Sequence, residues 1–441
     1  MRSCALPSLW LVPATCIAVA LTAALAGEGR QRKDDHPDPK ELVAALKKPD
    51  ADSRRKAAEA ICELCKDGDG DFNGSIPALV EALKDKDAIV RGEIAEALGF
   101  VGPDAKVAIP AVRGLLKDSI PEVRAKAAFA LGGFREDAKA AVPDLVGLFK
   151  DRDERVRASA AAGVGEIGAG AKTAVPGLTA LLKDPEPEVR LNAAASLGSF
   201  GADARAAEKE LVSVLKDRDE GVRGQAAESL AKIGPDPKLA VPALAAALAD
   251  KHAGVRGDVA HALGKFKDAA KPAVPVLTRM LKDADHGVRV HAAEAIHDIT
   301  GDTKMVVPVL IEGLKHDDPF VRGDAAHTLG EIGAAAKAAA PTLKAMLKDE
   351  NAGIRVHAAE ALVKVDKSAA KDAVPVLIEG LKNEDKTLRA EAAEALGEVG
   401  PDAKDAIPAL TALAKDKNKD VRKNAAEAVK KIEGKAGPKK D

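Results

Sequence analysis

Val90-Arg91-Gly92-Glu93-Ile94-Ala95-Glu96-Ala97-Leu98-Gly99 decides the fold, because this stretch returns along the chain with its arginine in step. The arginine stands at Arg91, Arg124, Arg157, Arg190, Arg223, Arg256, Arg289, Arg322 and Arg355, each 33 residues after the last. One extra residue intervenes before Arg389, the step of 33 resumes at Arg422, and Arg54 opens the series 37 residues before Arg91. Twelve copies of one unit therefore fill most of the 441 residues. Such a chain is a solenoid, in which each unit touches only its neighbours. Solenoids work as extended binding surfaces rather than as enclosed catalytic pockets.

The unit is read outward from the arginine. Ala follows it by four residues in all twelve copies, and Leu, Ile or Val by seven, as at Ala95 and Leu98. These positions share one face of a 3.6-residue period, so the segment from about the arginine onward is an amphipathic helix. Gly99 and Gly330 follow the last apolar residue and are expected to end it, with turns such as Gly102-Pro103-Asp104 beyond. Fourteen residues before the arginine stands Pro in ten copies, as at Pro77 and Pro110. Pro suits the first turn of a helix, where an N–H has no partner. The run Pro77 to Lys84 is thus a second, short helix, closed by Asp85 six residues before Arg91. One helix pair cannot bury its apolar face alone, so neighbours must stack.

The Pro, the Asp and Arg six apart, the Ala-Ala and the Leu-Gly resemble the HEAT repeat family in its short, phycobilisome-lyase-like subtype. The resemblance covers residues 40–433. It implies an all-α fold, an α-solenoid wound as a right-handed superhelix of about twelve helix pairs, with Asp and Arg forming a hydrogen-bonded ladder along the stack. It also implies that positions two, five and nine after the arginine line the inner, concave face. It says almost nothing about function.

The ends read differently from the middle. Residues 1–26 resemble a secretory signal: Arg2, an apolar run from Leu6 to Ala26, and Ala24-Leu25-Ala26 before Gly27. A retained membrane anchor is the other reading of the run, against which Pro7 and Pro13 stand. Residues 27–39 are a polar linker and 434–441 a basic tail. The expected location is outside the cytoplasm, in a bacterial periplasm or beyond, with no membrane span after cleavage. Lys and Arg number 67 against 69 Asp and Glu, evenly spread, which lacks the basic excess of a nucleic-acid binder. Tyr is absent and the one Trp is Trp10, so a monomeric scaffold would hold a protein or peptide partner by charge, His and shape rather than by aromatic anchors.

Chemistry concentrates late in the chain. Positions two and five after the arginine are Asp258 and His261, then His291 and Glu294, Asp324 and His327, His357 and Glu360, and finally Glu391 and Glu394. Four successive copies carry one His and one acid each, and the two exchange places from copy to copy. Imidazole and carboxylate together suit a transition metal such as iron or zinc. The other reading is a ladder of His–acid hydrogen bonds that stiffens the wall. A HEAT-type oxidoreductase, deoxyhypusine hydroxylase, is similar in placing His-Glu dipeptides nearly here, but this chain has none, and His291 and His357 are followed by Ala. The expected function is an exported scaffold whose face at residues 256–394, Glu391 and Glu394 included, binds a cationic protein or peptide. The alternative is a metal-dependent oxidoreductase using the His/acid cluster.

Two further stretches stand out. Asp67, Asp69, Asp71 and Asn73 carry oxygen ligands at alternate positions before Gly74, like the opening of a calcium loop. The twelfth place counted from Asp69, however, is Val80, with Glu81 one step late. The plain alternative is a polar turn. Cys62 and Cys65 form the only Cys pair beyond the leader, either a redox or disulfide pair or small residues packing the terminal repeat. No catalytic triad and no phosphate-cradling glycine loop is present.

Overall fold

The computed structural model describes residues 38–68 and 70–434. The segment read as a leader and most of the linker and basic tail lie outside these residues. Among the described residues every regular element is helical, and none is long and apolar enough to cross a membrane. The repeats divide into two compact units, one ending at Ala243 and the other starting at Leu244, inside the helix Pro237–Ala247. Each unit is an all-α solenoid stack.

The two units share one construction. A long helix such as Ala88–Val101 packs on the long helix of the next repeat, Pro121–Gly133, while a short helix such as Ile76–Ala82 packs on its own long helix. The long helix starts three residues before its arginine. In most copies its N-cap is an Asp or Asn four residues before the arginine, whose side chain accepts an orphan N–H of the first turn, as Asp87 does from Ile89; Ile120, Glu186 and His252 stand there without a side-chain cap. Asp153, Asp219, Asp285, Asp318, Asn351, Asp385 and Asn418 repeat that cap. Pro110, Pro143 and Pro176 stand in the first turn of their short helices, as their missing N–H requires. Pro308 and Pro375 lie inside longer helices, Thr303–Gly313 and Ala370–Gly380, because the preceding segment there is already α-helical.

The core is built from small and branched side chains. In the C-terminal unit Ala359, Leu377, Ala393, Leu396, Ala425 and Ile432 are buried in one cluster. Alanines let helix backbones approach closely, so packing is tight although aromatic residues are only 2% of the chain.

Gly99 does not end its helix, contrary to the sequence expectation. The helix runs on to Val101, and the stop is Gly102, whose φ of 71° a side chain would resist. Gly330 likewise lies within Pro319–Ile332, which Gly333 closes. The glycine eight residues after the arginine is instead a notch for the neighbouring helix. A Cβ on Gly99 would sit 2.6 Å from Ala130 Cα, and one on Gly397 3.0 Å from Ala428 Cα.

The repeats are joined by the Asp–Arg ladder. Its partners are in adjacent copies, 27 residues apart, rather than six apart in one copy. Arg157 donates from Nε and Nη2 to Asp184 Oδ2 and Oδ1 at 2.8 and 2.9 Å, and from Nη1 to the Asp151 carbonyl at 2.9 Å. Asp184 Oδ1 also accepts the Glu186 N–H at 3.0 Å. One guanidinium thus closes its own repeat and clamps the next, bidentately. Burial works against the charged form of Asp184, but the bonds from Arg157 and Glu186 outweigh it and hold the carboxyl below its ordinary 3.8. Arg91, Arg124, Arg190, Arg256, Arg322 and Arg389 make the same rung.

Two junctions in the C-terminal unit differ. The residue 27 after Arg289 is His316, which fills only the turn-closing half of the role, its Nδ1 accepting the Asp318 N–H at 3.0 Å. Asn383 does likewise for Asp385 after Arg355, and Arg355 reaches Glu379 at 3.4 Å instead. The notch is missing at the same junctions, where His297 and Val363 replace Gly, and the long helices there are less closely packed.

Two outcomes follow for stability. Gly99→Ala should destabilise by about 1–2 kcal/mol in urea melts, because overpacking against Ala130 outweighs the roughly 1 kcal/mol that Ala ordinarily adds to a helix. His316→Asp should supply Arg289 with its missing carboxylate and raise the melting temperature by about 2–4 °C, the equivalent of about 1 kcal/mol in a unit of this size. A lowered melting temperature would show that the rung does not stabilise this junction.

Candidate functional site

The long helices of the C-terminal unit turn one face to their neighbours and the other outward. In Ala253–Lys265, Val255, Val259, Ala260 and Leu263 are buried, while Asp258, His261 and Lys265 lie on the opposite side. The next four long helices repeat this division, so the His and acid residues singled out from sequence do share one face. The expected even checkerboard does not form. The residues gather into separate groups.

The tightest group joins two adjacent helices. His261 Nδ1 lies 3.1 Å from Glu294 Oε1, and His291 Nδ1 lies 3.6 Å from Glu294 Oε2. The two imidazole rings meet edge to face with centroids 6.1 Å apart. His291 Nε2 faces Asp324 Oδ2 of the following helix at 3.9 Å, and His291 Nδ1 is buried with no hydrogen-bond partner. Lys265 Nζ stands 3.5 Å from Glu294 Oε1. The remaining predicted residues pair elsewhere. His327 Nε2 lies 3.6 Å from Glu331, His357 Nε2 lies 3.4 Å from Glu391, and Glu360 accepts from Lys364 at 2.6 Å. Asp258 and Glu394 are exposed on the same face.

Electrostatics follow the geometry. Burial opposes the charged form of Glu294, but the contacts and charges of His261 and His291 overcome it, and its carboxyl titrates well below the usual 4.5. Burial likewise opposes protonation of His291. Its contact with Glu294 and the charges of Glu294, Asp324 and Asp258 outweigh that, so it titrates above 6.5. Asp324 is raised, first by burial and further by the Glu294 charge, despite the neighbouring His residues. His327 is raised and Glu331 lowered by their mutual contact.

Sequence reasoning placed position nine after the arginine on this face but did not read its occupants. They decide the pairing: Lys265, Asp298, Glu331, Lys364 and Glu398 all stand there. That every one of them is charged was the available signal.

The N-terminal unit meets the same problem with lysine. Lys126 Nζ sits 2.6 Å from Glu93 and 2.7 Å from Glu96, two acids whose oxygens also lie within 4.8 Å of the Cys62 sulfur. Cys62 and Cys65 are free thiols on one helix. Burial pushes the Cys62 thiol up, with Glu96 and Glu93 adding to it, and burial raises Cys65 to about 11, so neither is an activated nucleophile. In the candidate calcium loop, Asp67 ends the helix Ala51–Asp67 and Asp69 lies outside the described residues. Asp71 Oδ1 accepts the Asn73 N–H at 3.0 Å, and Glu81 pairs with Lys84 at 2.9 Å.

Comparison with known proteins bears on this architecture. The HEAT-repeat profile matches residues 39–120, 109–185, 175–256, 208–297, 274–363 and 374–439. No curated protein matches the chain. A solved structure of Kap121p is similar at 16% identity over 86% of this chain and 52% of its own, with a TM-score of 0.44. A structure of Kap95p with RanGDP is similar at 14% identity over 90% and 61%, with a TM-score of 0.47. The chain thus spans about half the length of these structures.

Replacing Glu294 by Gln should lower the His291 pKa, because burial then acts with less opposing charge. Proton NMR titration of the imidazoles measures this, and an unmoved His291 would refute the assigned coupling.

Proposed function

The chain belongs to the HEAT-repeat family, and on that premise we propose that it is an exported scaffold whose long-helix face in the C-terminal unit binds a cationic protein or peptide segment. Its 33-residue units are of the short, phycobilisome-lyase-like subtype, by the Pro, Asp, Arg and Leu-Gly positions. It acts as a monomer, and the leader-like residues 1–26 carry it out of the cytoplasm.

One observation carries the partner's chemistry. From Asp258 to Glu398 the positions two, five and nine after each arginine hold nine carboxylates, four histidines and only two lysines. Lys265 and Lys364 are each already shared between two acids. The surplus is densest at Glu391, Glu394 and Glu398, where one helix presents three acids in succession. A row of negative charge on a rigid helical wall attracts an extended basic segment and fixes its register, more through association rate and specificity than through buried apolar area. The even charge of the whole chain hides this local excess.

The test is binding of a labelled Lys/Arg-rich peptide, with an acidic peptide of equal length as control. The basic peptide should bind, more weakly as salt rises, and Glu391→Lys with Glu394→Lys should weaken it about tenfold at 0.15 M salt. Equal binding of both peptides, or no loss in the double variant, would overturn the proposal.

A further inference from the structure

We propose that His261, His291 and Glu294 form a site for one divalent transition ion of the zinc type. The donor atoms of these three residues all lie within 4.8 Å of one another. An ion bound tetrahedrally at about 2.0–2.1 Å needs its ligand atoms about 3.4 Å apart. A single Glu294 oxygen, Oε2, stands 3.3 Å from His261 Nδ1 and 3.6 Å from His291 Nδ1, close to that value. Two imidazoles and one carboxylate form a donor set of borderline softness that suits zinc, cobalt or iron(II) over calcium or magnesium.

The orientation of His291 supplies the second argument. Its Nδ1 is buried without a hydrogen bond, 3.6 Å from Glu294 Oε2, while its Nε2 is turned to Asp324 Oδ2 at 3.9 Å. A metal-bound imidazole characteristically presents its other nitrogen to a carboxylate, which holds the ring and raises its basicity. Asp324 stands in that place, on the next helix along. The site is therefore held from three consecutive long helices: His261 on the first, His291 and Glu294 on the second, Asp324 on the third. Lys265, 3.5 Å from Glu294, is a cation that faces the group. It can swing to Asp298, 3.9 Å away, when an ion binds.

The same pattern two repeats later is a built-in control. His327, His357 and Glu360 occupy the equivalent positions, but Lys364 holds Glu360 at 2.6 Å, His327 turns to Glu331 and His357 to Glu391. That group does not converge, so it is not a second site of this kind. In the N-terminal unit Lys126 takes the corresponding place between Glu93 and Glu96.

The experiment uses full-length protein without a His tag, stripped with chelator, titrated with Zn²⁺ by calorimetry and with Co²⁺ by visible absorption. One ion per chain should bind, with the intense ligand-field band of a low-coordinate Co²⁺ site. His291→Ala and Glu294→Gln should abolish both signals, His357→Ala should leave them unchanged, and Asp324→Asn should weaken binding about 10- to 100-fold. Helix content of each variant, followed by circular dichroism with chelator present, separates loss of the site from loss of the fold. No binding by the parent, binding that survives His291→Ala and Glu294→Gln, or equal loss in a folded His357→Ala would overturn the site. An unchanged affinity in Asp324→Asn would overturn Nδ1 as the His291 donor.

Discussion

Each stack depends on one bidentate contact, the arginine of one repeat gripping the aspartate of the next. Arg157 satisfies two carboxylate oxygens of Asp184 and the carbonyl that ends its own short helix. A planar guanidinium can do this only if the aspartate arrives at one distance and angle, so the contact fixes how adjacent repeats approach wherever it occurs, at Arg54 and Asp85 across the longer first loop as well. It also disposes of polar groups that a helix end would otherwise leave unpaired between packed layers. The outward positions two, five and nine after the arginine are left free of this duty. They vary from bland in the middle of the N-terminal unit to strongly charged in the C-terminal unit.

Departures from the rung are organised. His316 and Asn383 replace the aspartate at the two junctions where His297 and Val363 replace the glycine notch. Both changes loosen the same contact, one by removing a clamp and the other by adding bulk between helices. They alternate with junctions where both devices are intact: Asp283 with Gly264, Asp349 with Gly330, and Asp416 with Gly397. The C-terminal unit therefore repeats in twos. The outward face shows the same doubling, an Asp/His copy followed by a His/Glu copy. His261 and Glu294 meet across a tight junction, where neighbouring helices come closest.

Both units place carboxylates in a half-buried row and must offset the cost of desolvating them. The N-terminal unit does so with Lys126, a permanent charge that occupies the space between its acids. The C-terminal unit uses imidazoles, which can give up a proton and offer a lone pair in its place. That difference in side-chain chemistry separates a filled ion pair from a group able to take an ion, although the backbone positions are equivalent.

Much of the molecule was legible without coordinates. The arginine period and the apolar positions four and seven residues beyond it dictate a stack of helix pairs, because no single pair can bury its own apolar stripe. The recurring His and acid positions dictate a shared face, because helical spacing alone puts residues three apart side by side. The capping Asp at Asp87 and its equivalents was equally legible and was passed over in favour of the arginine. What one sequence cannot carry is the approach of neighbouring repeats. Gly99 reads as a stop and acts as a notch, since only Ala130 of the next helix gives it that meaning. Likewise His261, His291 and Glu294 converge while His327, His357 and Glu360 do not, though the two triplets read alike. The spacing within a helix is a property of the chain itself. The distance between helices is set by side chains meeting from different repeats, Lys265 against Lys364 among them, and only the folded stack brings those together.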